Sequence, residues 1–280
     1  MWTELYGKAG RLCDEARSGA KHCPLIVRST SEDVFFGNVM GTLKNLTAPF
    51  WLNDFLNLSL GRTLYRQDSF EELTFRFWDT PVQYPAYLLP FPENPTEVDL
   101  TIEFANPDHT IFVEGKYTSP FARWTTRSRG SGWFNNQVIR NTRVGLWLCG
   151  YFRDQPTLFP VRRRRFLFIA VTATKPNPLL HRYRYWPNIL ADIPNSDRLE
   201  RPDLFPFVGE ITYEDIQAVL RRNQGRFSAP ERRFIDDLDN YISLKMGSYG
   251  RILDERRNGR DLLASPTLFA ARPQDRSGRP

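Results

Sequence analysis

The chain has 280 residues and a formal charge of +6, with a pI near 9.3, and only six of its 38 basic residues are lysine. Its 41% apolar content supplies the core of one large domain, no apolar run approaches the roughly 20 residues that span a bilayer, and the opening Met1-Trp2-Thr3-Glu4-Leu5-Tyr6 does not read as a secretory signal. Cys13, Cys23 and Cys149 lack close pairing, which argues against a disulfide framework and suits a reducing cytoplasm; His22, His109 and His181 lack metal-ligand spacing, and no Gly-x4-Gly-Lys-Ser/Thr phosphate loop occurs, which disfavours zinc hydrolysis and ATP hydrolysis.

In chain order, residues 2 to 17 predict a leading helix. Ser31 is placed to cap a second helix, on which Glu32, Phe36, Val39 and Leu43 share a face. Strands follow near Leu73 to Trp78, at Val98 to Phe104 and at Ile111 to Lys116. Asn135 to Val144 predicts a helix, and Phe166 to Val171 an apolar strand preceded by Arg162 to Arg165, a solvated flank or a phosphate track. The stretch Leu179 to Asp203 is broken by prolines and predicted to wrap the core. Phe207 to Ile211 predicts a short strand and Tyr213 to Arg222 a helix. A last helix from Pro230 to Leu244 carries Phe234, Leu238, Tyr241 and Ile242 on one stripe, for the core or for a partner copy. This order predicts an α/β fold, a central mixed sheet flanked by helices with a C-terminal helical extension. It is expected to form one domain over 1–262, with a core at about 31–174, an extension at 175–262 and a flexible tail at 263–280.

The chemistry concentrates in Glu97-Val98-Asp99-Leu100-Thr101-Ile102-Glu103-Phe104 and Ile111-Phe112-Val113-Glu114-Gly115-Lys116. Both alternate with period two, and Asn106-Pro107-Asp108-His109 between them is rich in turn formers, so an antiparallel hairpin is predicted. With those four residues as the loop, Asp99 faces Lys116, Thr101 faces Glu114, and Asp99 and Glu114 are diagonal neighbours on one face. Two carboxylates of this kind suit Mg²⁺ or Mn²⁺, a hard cation that activates water and offsets phosphate charge. An adjacent ammonium can orient the nucleophile or stabilise the transition state. About 0.7 acidic-x-Lys triplets are expected by chance, so the position of this single one at the end of an apolar strand, facing an Asp, gives it weight. The plainer reading is an exposed hairpin face with ordinary cross-strand charge pairs.

Asp99 followed by Glu114-Gly115-Lys116 resembles the PD-(D/E)XK nuclease superfamily, with Val98 in place of the proline before the Asp. The resemblance covers roughly residues 31 to 174. It implies a restriction-endonuclease-like core and Mg²⁺- or Mn²⁺-dependent cleavage of nucleic acid. Asp99 and Glu114 would be metal ligands and Lys116 the catalytic cation. The implied setting is a DNA endonuclease of a bacterial defence or restriction system, with a sensor or ATPase partner or a second copy of the chain. An RNase, or a non-catalytic nucleic-acid-binding or scaffolding module of the same fold, is the alternative.

Two readings stand side by side at each flanking position. Glu32 is either a further metal ligand, as superfamily members bring an acid from the first core helix, or a first-turn acid favoured by the helix dipole. Gln137 and Arg140 are either site auxiliaries or part of a polar helix surface; RecB-like branches carry Gln followed four residues later by Tyr, where this chain has Asn141. Arg123, Arg127 and Arg129 lie in an aromatic, glycine-containing loop that either holds phosphates and bases or packs on the core.

Overall fold

The computed structural model describes residues 32–121, 133, 135–153 and 162–257. The expected leading helix, the Ser31 cap, the tail, and Arg123, Arg127 and Arg129 lie outside the described residues. The protein is an α/β fold, a five-stranded mixed sheet flanked by helices and closed by a long C-terminal helix. The strands are β1 (Glu71–Phe77), β2 (Leu100–Ala105), β3 (His109–Lys116), β4 (Arg165–Thr172) and β5 (Val208–Thr212), in the spatial order β1-β2-β3-β4-β5. The first three form an antiparallel meander, and β4 and β5 continue it in parallel. The helices are α1 (Glu32–Lys44), α2 (Leu52–Leu60), α3 (Gln137–Leu148), α4 (Pro178–Arg182), α5 (Trp186–Asp192), α6 (Tyr213–Asn223) and α7 (Ala229–Arg257). Among the described residues no helix is long and apolar enough to cross a membrane.

Every residue of β3 is buried except Lys116. A central strand with helices on both faces must be apolar on both, and the two faces can be assigned from the glycines. A Cβ on Gly115 would lie 2.5 Å from the Phe36 ring of α1, and one on Gly209 would lie 2.9 Å from the Ser59 carbonyl of α2. Val113, Gly115 and Gly209 therefore face α1 and α2. On the other face a Cβ on Gly145 of α3 would lie 2.0 Å from the Phe166 ring, so α3 packs over Phe112, Glu114 and Phe166. The two parallel connections supply α3 between β3 and β4, and α4 and α5 between β4 and β5.

Local chemistry explains where the helices start. α1 has Glu32 and Asp33 in its first turn and Lys44 in its last, charges that complement the helix dipole. Asn136 caps α3, its side chain accepting from the Ile139 N–H at 2.9 Å. Thr212 and Asp215 form a capping box at α6.

Several expectations change in detail. The hairpin register is two residues shorter than predicted, because Phe104 pairs with His109 and Leu100 with Val113. His109 belongs to the strand rather than the loop: its ring stacks on Phe104 with centroids 4.4 Å apart and lies 3.0 Å from the Tyr65 hydroxyl. Continued past Leu100, this register sets Asp99 directly opposite Glu114 instead of diagonal to it. A shift of two leaves every side chain on its predicted face. The exposed-hairpin reading does not hold, since Glu114 is only 1% exposed.

α2 was not predicted, although Leu52, Phe55, Leu56 and Leu60 carry helical spacing and are buried. The proline-broken stretch from Leu179 to Asp203 holds most of α4 and all of α5: Pro178, just ahead of it, opens α4, and Pro187 lies in the first turn of α5, positions where no N–H is needed. α7 runs to Arg257, well beyond the predicted Leu244. Arg162, Arg163 and Arg164 form the solvated flank of β4, paired with Asp108, Glu200 and Glu103 respectively.

Candidate active site

At the C-terminal end of β3 lies an open cleft of about 490 Å³, lined by Glu32, Asp33, Pro81, Pro95, Glu97, Asp99, Glu114, Gly115, Lys116, Gln137 and Arg140. Six of the predicted site residues thus come together: Asp99, Glu114, Lys116, Glu32, Gln137 and Arg140. They arrive from four parts of the chain, namely the entry to β2, the end of β3, the first turn of α1 and the first turn of α3.

Gly115 explains how α1 gets close enough. With hydrogen in place of a side chain it admits Phe36 against β3, which brings the first turn of α1 to the strand end. Its N–H also donates to Asp99 Oδ2 at 3.0 Å, so the Asp99 carboxylate rests on the backbone between Glu114 and Lys116.

Glu114 carries the densest set of contacts. Its Oε1 accepts from Lys116 Nζ at 2.9 Å and from the Gln137 amide, and its Oε2 accepts from Asn141 Nδ2 at 3.2 Å. A carboxylate offers about four lone-pair sites, and described residues fill three of them, leaving capacity on Oε2. Burial alone would pull the Lys116 ammonium down, but the nearby carboxylates of Glu114, Asp99 and Glu32 outweigh it and hold its pKa above the ordinary lysine value of 10.5. The cation is therefore fully charged at neutral pH.

Glu32 has a defined structural task. Its Oε1 accepts the backbone N–H groups of Tyr117 (3.2 Å), Thr118 (2.8 Å) and Ser119 (2.5 Å), and so ties the chain leaving β3 to the start of α1. This anchoring task was in neither of its two readings, metal ligand or first-turn acid favoured by the helix dipole. Tyr213, fully buried at the head of α6, has a hydroxyl pushed well above its normal pKa by burial, with Glu32 and Asp99 adding to the effect.

The wall formed by Pro95 and Glu97 belongs to a segment fastened from behind. Glu93 Oε2 accepts from Arg143 NH2 at 2.6 Å, and Glu93 Oε1 accepts from Asn135 Nδ2 at 2.9 Å. Arg143 is fully buried on α3, with Tyr84 and Phe91 rings 5.0 and 5.9 Å from its guanidinium carbon. Residue order alone gives no site role to this pair, to Asn141 or to the acids Asp33 and Glu97. The four-residue spacing from Gln137 to Asn141 was visible; a buried Arg143 was not.

The cleft contains five carboxylates against Lys116 and Arg140, an acidic patch in a basic protein. Among the described residues no group of three or more His, Cys, Asp or Glu is arranged to hold a metal ion. Asp99 and Glu114 do provide the donor set that Mg²⁺ prefers, one or two hard carboxylates with the remaining positions left to water and phosphate oxygen. Comparison with protein-family models, with curated proteins and with solved structures finds no match to this chain.

Proposed function

We propose that the chain is a metal-dependent nuclease that hydrolyses phosphodiester bonds, with DNA as its substrate. The observation that carries this reading is the meeting of Asp99, Glu114 and a fully charged Lys116 at one strand end, in an open cleft. The fold supports it. The five-stranded mixed sheet flanked by helices agrees with the mixed sheet flanked by helices that the resemblance to PD-(D/E)XK nucleases implies.

In this reading Asp99 and Glu114 hold a Mg²⁺ or Mn²⁺ ion, which when bound supplies an acidified water and charge compensation at the scissile phosphate. An acidic cleft repels a polyanion until a divalent cation offsets its charge, so metal and substrate binding should be cooperative. Lys116, its Nζ already in contact with Glu114, stabilises the negative charge that builds on the phosphoryl oxygens and orients the attacking water. Gln137 fixes the Glu114 carboxylate from the α3 side. Arg140 lines the same wall and is placed to contact a flanking phosphate. Glu32 keeps the chain after Lys116 in register with the site. A cytoplasmic defence or restriction setting, with a sensor or ATPase partner or a second copy, belongs to the same proposal through the resemblance alone.

The test is cleavage of supercoiled plasmid, linear DNA and RNA in Mg²⁺, Mn²⁺ or EDTA by the native protein, Asp99→Ala and Lys116→Ala. Metal-dependent cutting that both substitutions reduce by at least about 10³-fold, with folding intact, is the expected result. Preferential cutting of RNA would change the substrate to RNA. Metal-independent binding without cutting would support the non-catalytic module instead.

A further inference from the structure

Asn141 is wholly buried in the middle of α3, four residues after Gln137 and therefore on the same helical face. Its Nδ2 donates to Glu114 Oε2 at 3.2 Å, while Gln137 donates to Oε1. The Glu114 carboxylate is thus gripped on both oxygens by two amides from one helix, with Lys116 closing the third side at 2.9 Å.

An asparagine is a poor choice for this position on packing grounds alone. It is among the weaker helix formers, and its Oδ1 is buried without a hydrogen-bond partner among the described residues. An aliphatic residue of similar volume would avoid both costs. What the amide supplies, and leucine cannot, is an N–H directed at the carboxylate. The helix carrying it is also firmly seated, capped by Asn136 and pressed against Phe166 at Gly145, so its amides occupy fixed positions.

We propose that Asn141 is a positioning residue of the active site, forming with Gln137 a two-pronged amide clamp that sets the orientation of the Glu114 carboxylate. The inference rests on the nuclease reading and assigns a task to a residue that does not touch substrate. Partners of this outer kind are worth about 10- to 100-fold in metal affinity or activity.

The test uses Asn141→Gln and Asn141→Leu in the full chain, with far-UV circular dichroism and urea midpoints to establish folding. Asn141→Gln keeps an amide N–H at this position and should retain more Mn²⁺ affinity than Asn141→Leu, which has none. Asn141→Leu should bind Mn²⁺ about 10- to 100-fold more weakly by calorimetric titration, a readout independent of turnover, and lower kcat more than it raises KM. A folded Asn141→Leu with native Mn²⁺ affinity, or an Asn141→Gln no better than Asn141→Leu, would overturn the clamp while leaving the nuclease reading in place. Failure of the native protein to cut under any metal, or full activity of Lys116→Ala, would overturn the nuclease reading itself.

Discussion

Replacing Arg143 with leucine should destabilise the protein by about 3 to 5 kcal/mol, the usual cost of breaking a buried pair from one side. Arg143 is 0% exposed and the Glu93 side chain 3%, with the charged atoms 2.6 Å apart. At an effective dielectric near 20 their direct attraction is about 6 kcal/mol. Most of that only offsets the several kcal/mol lost in desolvating each ion. The Arg143 Nε and NH1 atoms also find no hydrogen-bond partner in the described structure, so the intact pair already carries unpaired donors. Removing Arg143 leaves the Glu93 carboxylate buried with, among the described residues, its neutral Asn135 amide contact. Replacing both residues, as Arg143→Leu with Glu93→Leu, removes the stranded charge and should cost less than about 2 kcal/mol. Urea unfolding monitored by tryptophan fluorescence measures this: at about 3 kcal/mol/M the single variant should lose about 1 to 1.7 M in midpoint, and the double variant less than about 0.7 M. A single variant within about 1 kcal/mol of the native protein, or a double variant as unstable as the single, would refute the account of the pair as a buried, mutually dependent clamp.

Two further predictions concern the sheet and the site. His109, buried between Phe104 and Tyr65, has its pKa lowered from 6.5 to about 4, first by burial. The folded state therefore binds fewer protons than the unfolded one between these values. The stability is complete above pH 6.5 and is lost as pH falls towards 4, by about 3 kcal/mol in all; urea midpoints across pH 4 to 7 should show this slope, and His109→Gln should flatten it. Glu32→Ala should cost about 2 to 3 kcal/mol by stripping the acceptor from three backbone N–H groups, whereas Glu32→Gln should keep the fold and metal-dependent cleavage within about tenfold. Complete loss of activity in a stably folded Glu32→Gln would instead make Glu32 a metal ligand.

Much of the molecule can be read directly from residue order. The period-two alternation around Asp99 and Glu114 marks the hairpin and the face of each carboxylate, because side chains on a strand alternate whatever the register. For the same reason the register error of two left the site intact: His109 carries no local sign of whether it ends a turn or begins a strand, and its stacking on Phe104 decides. Pro187 reads as a breaker because a sequence does not show whether an N–H is needed at a given position. Its place in the first turn of α5 settles it.

What the amino-acid order determined by itself was chemistry and local periodicity: an acidic pair, a lysine two residues on, a polar helix with amides four apart. What only the tertiary structure decided was which of these meet. Glu32 is 82 positions before Glu114, yet the absent side chain of Gly115 lets Phe36 press onto β3 and brings Glu32 to the chain that leaves the strand. Arg143 looks like a surface charge on a polar helix until Glu93, Tyr84 and Phe91 enclose it. Both outcomes depend on contacts between residues far apart in the chain, whose energies come from burial and desolvation, and neither quantity exists until the chain has folded.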